Sequence, residues 1–207
     1  MPRRLVIFDF DGTLADSFPW FIEAFDLAAQ RFRFQRPDRR RIDELRDLDA
    51  RQILARHRIA PWKVPFVAGF LRKEMAREIA RISLFPGVGV ALETLAARGL
   101  QLSMLTSNSY RNVAEVLGPR VKHFSNLECD ASLFGKTARL RRLVASSGVP
   151  AHEVIFVGDE IRDADAARRV GVAFGAVAWG YTRLQSLAAH DPAVTFASVE
   201  ELVTKLS

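Results

Sequence analysis

A doubly wound α/β fold, a parallel sheet covered on both faces with a small all-helical domain inserted near its start, is what this sequence predicts. Three observations carry that prediction. Short, near-continuous apolar runs bounded by Gly, Asp, Thr or Ser recur at residues 5–8, 100–105, 154–157 and 172–179. Helical patterns alternate with them, and strands alternating with helices of about 10–15 residues indicate parallel strands buried on both sides. The alternation is interrupted once, between residues 15 and 82, where no convincing strand occurs.

In chain order, the first strand runs into DFDGTLADS, where Gly12 and Thr13 follow two aspartates. Phe18, Phe21, Ile22, Phe25, Ala28, Ala29 and Phe32 then repeat at helical spacing, as do Val64, Val67, Leu71, Met75, Ile79 and Ile82. Ile42, Leu45, Leu48 and Ile53 mark one further helix between them. The chain returns to the sheet at LFPGVG, punctuated by Pro86 and Gly87. The expected division is therefore a core of residues 1–14 and 83–207 and a helical domain of residues 15–82. In the core, helix 88–98 leads to strand 100–105, helix 110–117 and a weaker strand at 122–127. Helix 137–147, strand 154–157, helix 163–170, strand 172–179, a late strand at 194–196 and a last helix at 198–206 complete it. Internal repeats and low-complexity tracts are absent.

The composition, 207 residues with 49% hydrophobic and 26% charged, suits a globular protein with one sizeable core and a smaller unit, and excludes disorder. No apolar run reaches the roughly 18–20 residues that span a bilayer, and MPRRLVIFDF meets an aspartate too early for a secretory segment. A cytoplasmic protein without membrane contact is expected. The single Cys129 has no partner for a disulfide or a cysteine-based zinc knuckle, which fits a reducing compartment and a packing role. A net charge of +6 is compatible with nucleic acid, acidic lipid or an anionic small substrate. Because lysine occurs only at positions 63, 73, 122, 136 and 205, an arginine-rich coding bias explains the excess without function.

The chemistry is concentrated at strand ends. Residues two apart in an extended strand point to the same side, so Asp9 and Asp11 face one site at the carboxyl end of the first strand, where open α/β sheets bind ligands. Two carboxylates so placed repel unless a cation or a shared proton relieves them. An ordinary Asp-Gly turn is the structural alternative. An EF-hand loop is not, because Thr13 and Leu14 stand where it requires an oxygen ligand and glycine. VGDEIRDADAAR follows another strand, and Asp159 and Asp163 share a face if a helix opens there. Together with Glu160 and Asp165 they exceed what complementing a helix dipole requires. An oxygen-rich Mg²⁺ site accounts for them, since that cation takes few carboxylates and keeps waters for a substrate phosphate. In LSMLTSNS, Thr106, Ser107 and Asn108 precede a helix, which leaves a helix cap and a phosphate cradle both open. Lys136, in LFGKTARL, sits at an expected helix N-terminus, against the dipole, a local conflict of the kind found at functional sites.

DxD, a Thr after the second strand, a Lys and GDxxxD, in that order, resemble the haloacid dehalogenase-like hydrolase superfamily, and within it the phosphoglycolate phosphatase-like group, with a Rossmannoid core and an inserted helical cap. The resemblance covers essentially the whole chain, from DFDGTLADS through LFPGV and GDEIRDADAA to AWGY and the terminal EEL helix. It implies Asp9 as nucleophile, Asp11 as acid and base, and Thr106, Ser107 and Lys136 as phosphate binders. It further implies Mg²⁺ held by Asp9, the main-chain oxygen of Asp11 and Asp159, with Asp163 in or beside that shell. The second acid, Asp11, points to phosphate chemistry, because the dehalogenases of the superfamily use one aspartate here and no magnesium. Glu160 stands where many relatives carry Ser or Thr, and Lys136 lacks the proline that often follows it.

The implied function is Mg²⁺-dependent hydrolysis of a small phosphorylated metabolite through an aspartyl phosphate, by a monomer or homodimer. A sugar phosphomutase, passing the same phosphoryl group to a sugar, is the alternative. A nucleic-acid-binding protein with vestigial motifs ranks last; it would use the Arg- and Phe-rich segment 31–41, which is better explained as a solvated lid edge.

Overall fold

The computed structural model describes residues 3–132 and 135–206, the Arg39 side chain excepted; residues 1, 2, 133, 134 and 207, which include part of LFGKTARL and the ends of the expected core, lie outside the described residues. Six strands, β1 (Leu5–Phe8), β2 (Gln101–Leu105), β3 (Phe124–Glu128), β4 (Val154–Gly158), β5 (Ala173–Val177) and β6 (Val194–Phe196), form one sheet in the order β3-β2-β1-β4-β5-β6. Every pairing is parallel. The order reverses at β1 and β4, and that crevice at the strand carboxyl ends is where doubly wound sheets bind ligands.

The strand residues alternate between two cores. Val6, Phe8, Ile155 and Val157 pack on one face, while Leu5, Ile7, Val154 and Phe156 pack on the other. This is why the strands read as continuous apolar runs. Ten helices are described: α1 (Phe18–Phe32), α2 (Ile42–Leu45), α3 (Ala50–Arg56), α4 (Val64–Arg77), α5 (Val88–Ala97), α6 (Tyr110–Leu117), α7 (Lys136–Ser147), α8 (Ile161–Val170), α9 (Leu184–Ala188) and α10 (Glu200–Lys205). Apolar residues of α5, α6 and α10 cover the first face, and those of α7, α8 and α9 cover the second.

Helices α1 to α4 lie between β1 and the rest of the sheet and have a core of their own, built on Phe25, Ala28, Ala29, Phe34, Ile59 and Val67. The chain leaves and re-enters side by side: Asp16 N–H donates to the Ser83 carbonyl at 2.8 Å, and Phe85 N–H to that of Leu14 at 2.9 Å. The single helix expected over residues 42–53 is in fact two, α2 and α3. Asp49 breaks it, accepting from Gln52 N–H at 2.8 Å while the Gln52 side chain accepts from Asp49 N–H at 2.8 Å. A reciprocal capping box of this kind starts a helix and therefore ends the preceding one. The apolar repeat expected through Ile82 outruns α4, which stops at Arg77 and is followed by a 3₁₀ turn, Ile79–Arg81. Strand β3 begins later than expected because Gly118–His123 is also 3₁₀.

His57, beyond the end of α3, is buried in this helical core, with Nδ1 2.8 Å from the Gln35 carbonyl, its ring edge-on to Phe25, and no hydrogen-bond partner for Nε2. Burial lowers its pKa from 6.5. Because the folded pKa is the lower one, the stability His57 contributes is present above about pH 6.5 and is lost as pH falls. Scanning calorimetry should show the melting temperature of His57→Phe rising relative to that of wild type as pH falls from 7 to 5; a constant difference between the two would refute the assignment.

Candidate active site

The site begins one residue past β1. Asp9 N–H donates to the Val157 carbonyl at 2.9 Å, so the chain stays extended, and it then folds back sharply, with the amides of Thr13, Leu14 and Ala15 at 3.2, 2.9 and 2.9 Å from the Phe10 carbonyl. Gly12 makes this turn at φ +77°, and a Cβ there would lie 2.2 Å from Asp159 Oδ2 and 2.5 Å from a Tyr181 ring carbon. Both the left-handed backbone and the close approach require glycine. Gly12→Ala should cost roughly 2–4 kcal/mol in denaturant unfolding, and a cost near zero would show that the turn is not held as described.

The turn brings Asp9 to Asp159, which follows β4. Asp159 accepts from Thr13 Oγ1 at 2.7 Å and from Tyr181 N–H at 2.8 Å. Helix α8 opens at Ile161, two residues before the expected start, so Asp159 lies in the connection and Asp163 within the first turn. Asp163 Oδ2 accepts from Glu160 N–H at 3.1 Å, as half of a capping box, while its Oδ1 accepts from Lys136 at 2.6 Å. One carboxylate thus both caps a helix and joins the site.

Lys136 is the first residue of α7, yet it is only 3% exposed. Its Nζ donates to Asp9 Oδ2 at 2.5 Å as well as to Asp163. Burial opposes its charge, but Asp163 and Asp9 outweigh that and raise its pKa, so it remains a cation. The two carboxylates explain a lysine placed against the helix dipole.

Asp9, Asp159 and Asp163 are all buried and offer oxygens within 4.8 Å of one another. Burial drives the Asp9 carboxyl up to about 7 in spite of Lys136, and pushes that of Asp159 well above the carboxylate range, with Glu160, Asp9 and Asp163 adding repulsion. Glu160 pairs with Arg162. Two cations, Lys136 and Arg162, thus face four carboxylates, Asp9, Asp159, Asp163 and Glu160. With all four ionised, the negative charge in excess of these two cations, carried by hard oxygen donors, would be matched by a divalent cation of the Mg²⁺ type.

Asp11 is oriented differently from Asp9. Its carboxylate accepts from Ser17 Oγ at 2.9 Å and from Asn108 Nδ2 at 3.0 Å, outside the group of three. Burial raises its pKa, against the pull of these two hydrogen bonds. Asn108 is held in turn, its Oδ1 accepting from Ser109 N–H at 2.9 Å and Asn112 Nδ2 at 3.0 Å. Thr106 is buried after β2, its hydroxyl accepting from Asn108 N–H at 3.0 Å, and Ser107 lines the adjoining cavity. The cap of α6 is Ser109 rather than any of these three, and of the three Ser107 and Asn108 line the cavity.

The partners of the acids escaped the sequence reading. Ser17 and Tyr181, whose oxygens lie 2.9 Å apart, are 164 residues apart in the chain, and the Trp179 indole donates to the Thr13 carbonyl at 3.0 Å from a similar separation. Both lie in the quoted stretches DFDGTLADS and AWGY, but no local periodicity signals a pairing across the sheet. From the helical insert, Arg46 donates to the carbonyls of Gly180 at 2.8 Å and Tyr181 at 3.1 Å, and Met75 reaches Asn108. Between insert and sheet lies a cavity of about 890 Å³ whose floor includes Asp11, Ser107 and Asn108.

A family model described as haloacid dehalogenase-like hydrolase matches residues 6–177. The chain is 35% identical over 191 residues to a phosphoglycolate phosphatase from Synechococcus elongatus, covering 91% of this chain and 90% of that protein. It is 26% identical over 232 residues to the phosphoglycolate phosphatase of Escherichia coli, covering 98% and 92%. Among solved structures, a haloacid dehalogenase-like family hydrolase from Streptococcus pneumoniae superposes with a TM-score of 0.81 at 20% identity, covering 99% of each chain. CbbY from Rhodobacter sphaeroides, in complex with phosphate, gives 0.75 at 21%, covering 97% of this chain and 96% of that one.

Proposed function

The chain belongs to the haloacid dehalogenase-like hydrolase family, and from that premise we propose a Mg²⁺-dependent phosphatase that cleaves a small-molecule phosphate monoester through an aspartyl phosphate. It is a phosphoric monoester hydrolase of the phosphoglycolate phosphatase-like group. The observation that carries the reading is the convergence of Asp9, Asp159, Asp163 and Lys136 at the switch point of the sheet. Asp9, Asp159 and Asp163 are the carboxylates that would hold the cation, with the main chain of Asp11 beside them. Bound there, Mg²⁺ supplies positive charge to the oxygens of a transferring phosphoryl group.

Asp9 attacks phosphorus, forming an acyl-phosphate bond as the ester P–O bond breaks. Asp11, held off the acidic cluster by Ser17 and Asn108 and inclined by burial to carry a proton, gives that proton to the departing alkoxide. Asp11 then takes a proton from water, which hydrolyses the aspartyl phosphate to inorganic phosphate and frees Asp9. Lys136, Thr106 and the amides around Ser107 face the phosphoryl oxygens and spread their charge. Residues 15–82 form the cap that closes over the ester and excludes water. No helix among the described residues is long and apolar enough to cross a membrane.

Hydrolysis of a phosphate ester should stop in EDTA and return with Mg²⁺. Asp159→Asn should raise the Mg²⁺ concentration needed for half-maximal activity by about tenfold or more. Full activity in EDTA, or an unchanged Mg²⁺ requirement in the variant, would overturn the metal assignment.

A further inference from the structure

We propose that the ester cleaved by this enzyme carries a bulky, predominantly apolar alcohol, alkyl or aryl, rather than a two-carbon acid or a sugar. The inference rests on the phosphatase reading above and concerns what the cap selects. The cavity is about 890 Å³, near the upper end of the roughly 300–1,000 Å³ that encloses drug-sized ligands. Closing the cap shrinks that space but leaves the chemistry of its wall unchanged.

The wall contributed by the helical insert is predominantly apolar, with Arg51 and Arg72 as its charged residues. Leu54, Ile59, Val64, Ala68, Leu71 and Met75 line it from α3, the following connection and α4, and Trp20 and Phe21 close it from α1. A sugar covered by this surface would lose water from its hydroxyls and find few polar atoms in exchange, at a cost in affinity for each unpaired group.

Among the described residues, no arginine of the cavity is without a partner. Three line it, Arg51, Arg72 and Arg162, of which the Arg72 pair is long and partly exposed. Arg162 pairs with Glu160, Arg72 lies 4.0 Å from Asp130, and Arg51 has an interaction partner of its own. The carboxylate of a short phosphorylated acid would have to compete for one of them. The floor, by contrast, is polar where a phosphate sits, at Asp11, Ser107 and Asn108. A phosphate on the floor and an apolar body against the cap is the arrangement these surfaces accept.

The test is catalytic efficiency, with Mg²⁺, on n-alkyl phosphates from methyl to octyl, phenyl phosphate, 2-phosphoglycolate and glucose 6-phosphate. Burial of a methylene predicts a rise in kcat/KM of about three- to fourfold per added carbon until the cavity is filled. Phenyl and octyl phosphate should exceed 2-phosphoglycolate by at least about tenfold. Ala68→Asp, which places a carboxylate on the wall at a half-buried position, should lower kcat/KM for octyl phosphate at least about tenfold more than for methyl phosphate. Calorimetry with the corresponding alkylphosphonates, which cannot be hydrolysed, should show Kd falling along the same series. A flat series with 2-phosphoglycolate or glucose 6-phosphate preferred overturns the inference and leaves the phosphatase intact. If no ester is turned over, the phosphatase reading fails, and chain-length-independent phosphonate binding would then overturn this inference as well.

Discussion

Asp9→Asn is expected to lower turnover by about 10⁴-fold or more, because an amide cannot accept the phosphoryl group and no neighbour takes its place. Asp163 is committed to Lys136 and the α8 cap, and Asp11 to Ser17 and Asn108. The same variant should stabilise the metal-free fold, and the sign of its pH dependence follows from burial. Burial raises the Asp9 carboxyl from 3.8 to about 7. A group whose folded pKa lies above its unfolded one contributes stability that is complete below the unfolded value and is lost as pH rises through the folded value. Wild-type protein in EDTA should therefore weaken between pH 4 and pH 8 more than Asp9→Asn does. Denaturant unfolding in EDTA at pH 5 and pH 8 checks this: the stability gained by the variant should be larger at pH 8. An equal gain at both pH values would show that the Asp9 charge is not confined as the geometry describes.

The parts of this site that were legible in the sequence are those set by short-range rules. Parallel strands buried on both faces must be apolar throughout, so β1, β2, β4 and β5 stand out, and the polar residues that end them, Asp9, Thr106 and Asp159, fall at the ligand-binding edge by topology. Lys136 was legible as a violation: it is placed against a helix dipole, and its two buried carboxylates supply the reason. What stayed hidden depends on contacts without a local period. Nothing near Asn108 announces that its side chain holds Asp11, and nothing near Thr13 announces Asp159, because each pair joins two strand ends through the third dimension. The break between α2 and α3 was hidden for a different reason. The apolar spacing of Ile42, Leu45, Leu48 and Ile53 is helical throughout, and the capping box of Asp49 and Gln52 overrides it. Which apolar residues of the cap line the cavity was not legible either. A helix residue that faces its own bundle and one that faces a cavity are equally apolar, and only the packing of α1, α3 and α4 separates them.

Lys136→Met should have the other large effect, on both activity and stability. Methionine keeps much of the length and removes the charge, leaving Asp9 and Asp163 without their shared donor at a place where both are buried. Breaking a buried ion pair by removing one partner costs about 3–5 kcal/mol, far more than the pair contributes relative to an apolar replacement, because the surviving charge is stranded. That cost depends on pH. Near pH 5 the Asp9 carboxyl, already raised to about 7 with the lysine present, takes up a proton in the folded variant and limits the loss. At pH 8 it does so only by working against solvent, and the full penalty is felt. The stability difference between wild type and Lys136→Met in EDTA should therefore grow from pH 5 to pH 8, and kcat/KM should fall about 10²- to 10³-fold as one donor to the phosphoryl oxygens is lost. Adding Asp9→Asn to Lys136→Met removes the stranded charge and should recover part of the stability but none of the activity. The double-mutant cycle thus separates two roles of one ammonium group: holding the acids together, and meeting the charge that arrives on the phosphate. A lysine that merely lay at the protein surface would show neither the pH-dependent loss nor the recovery.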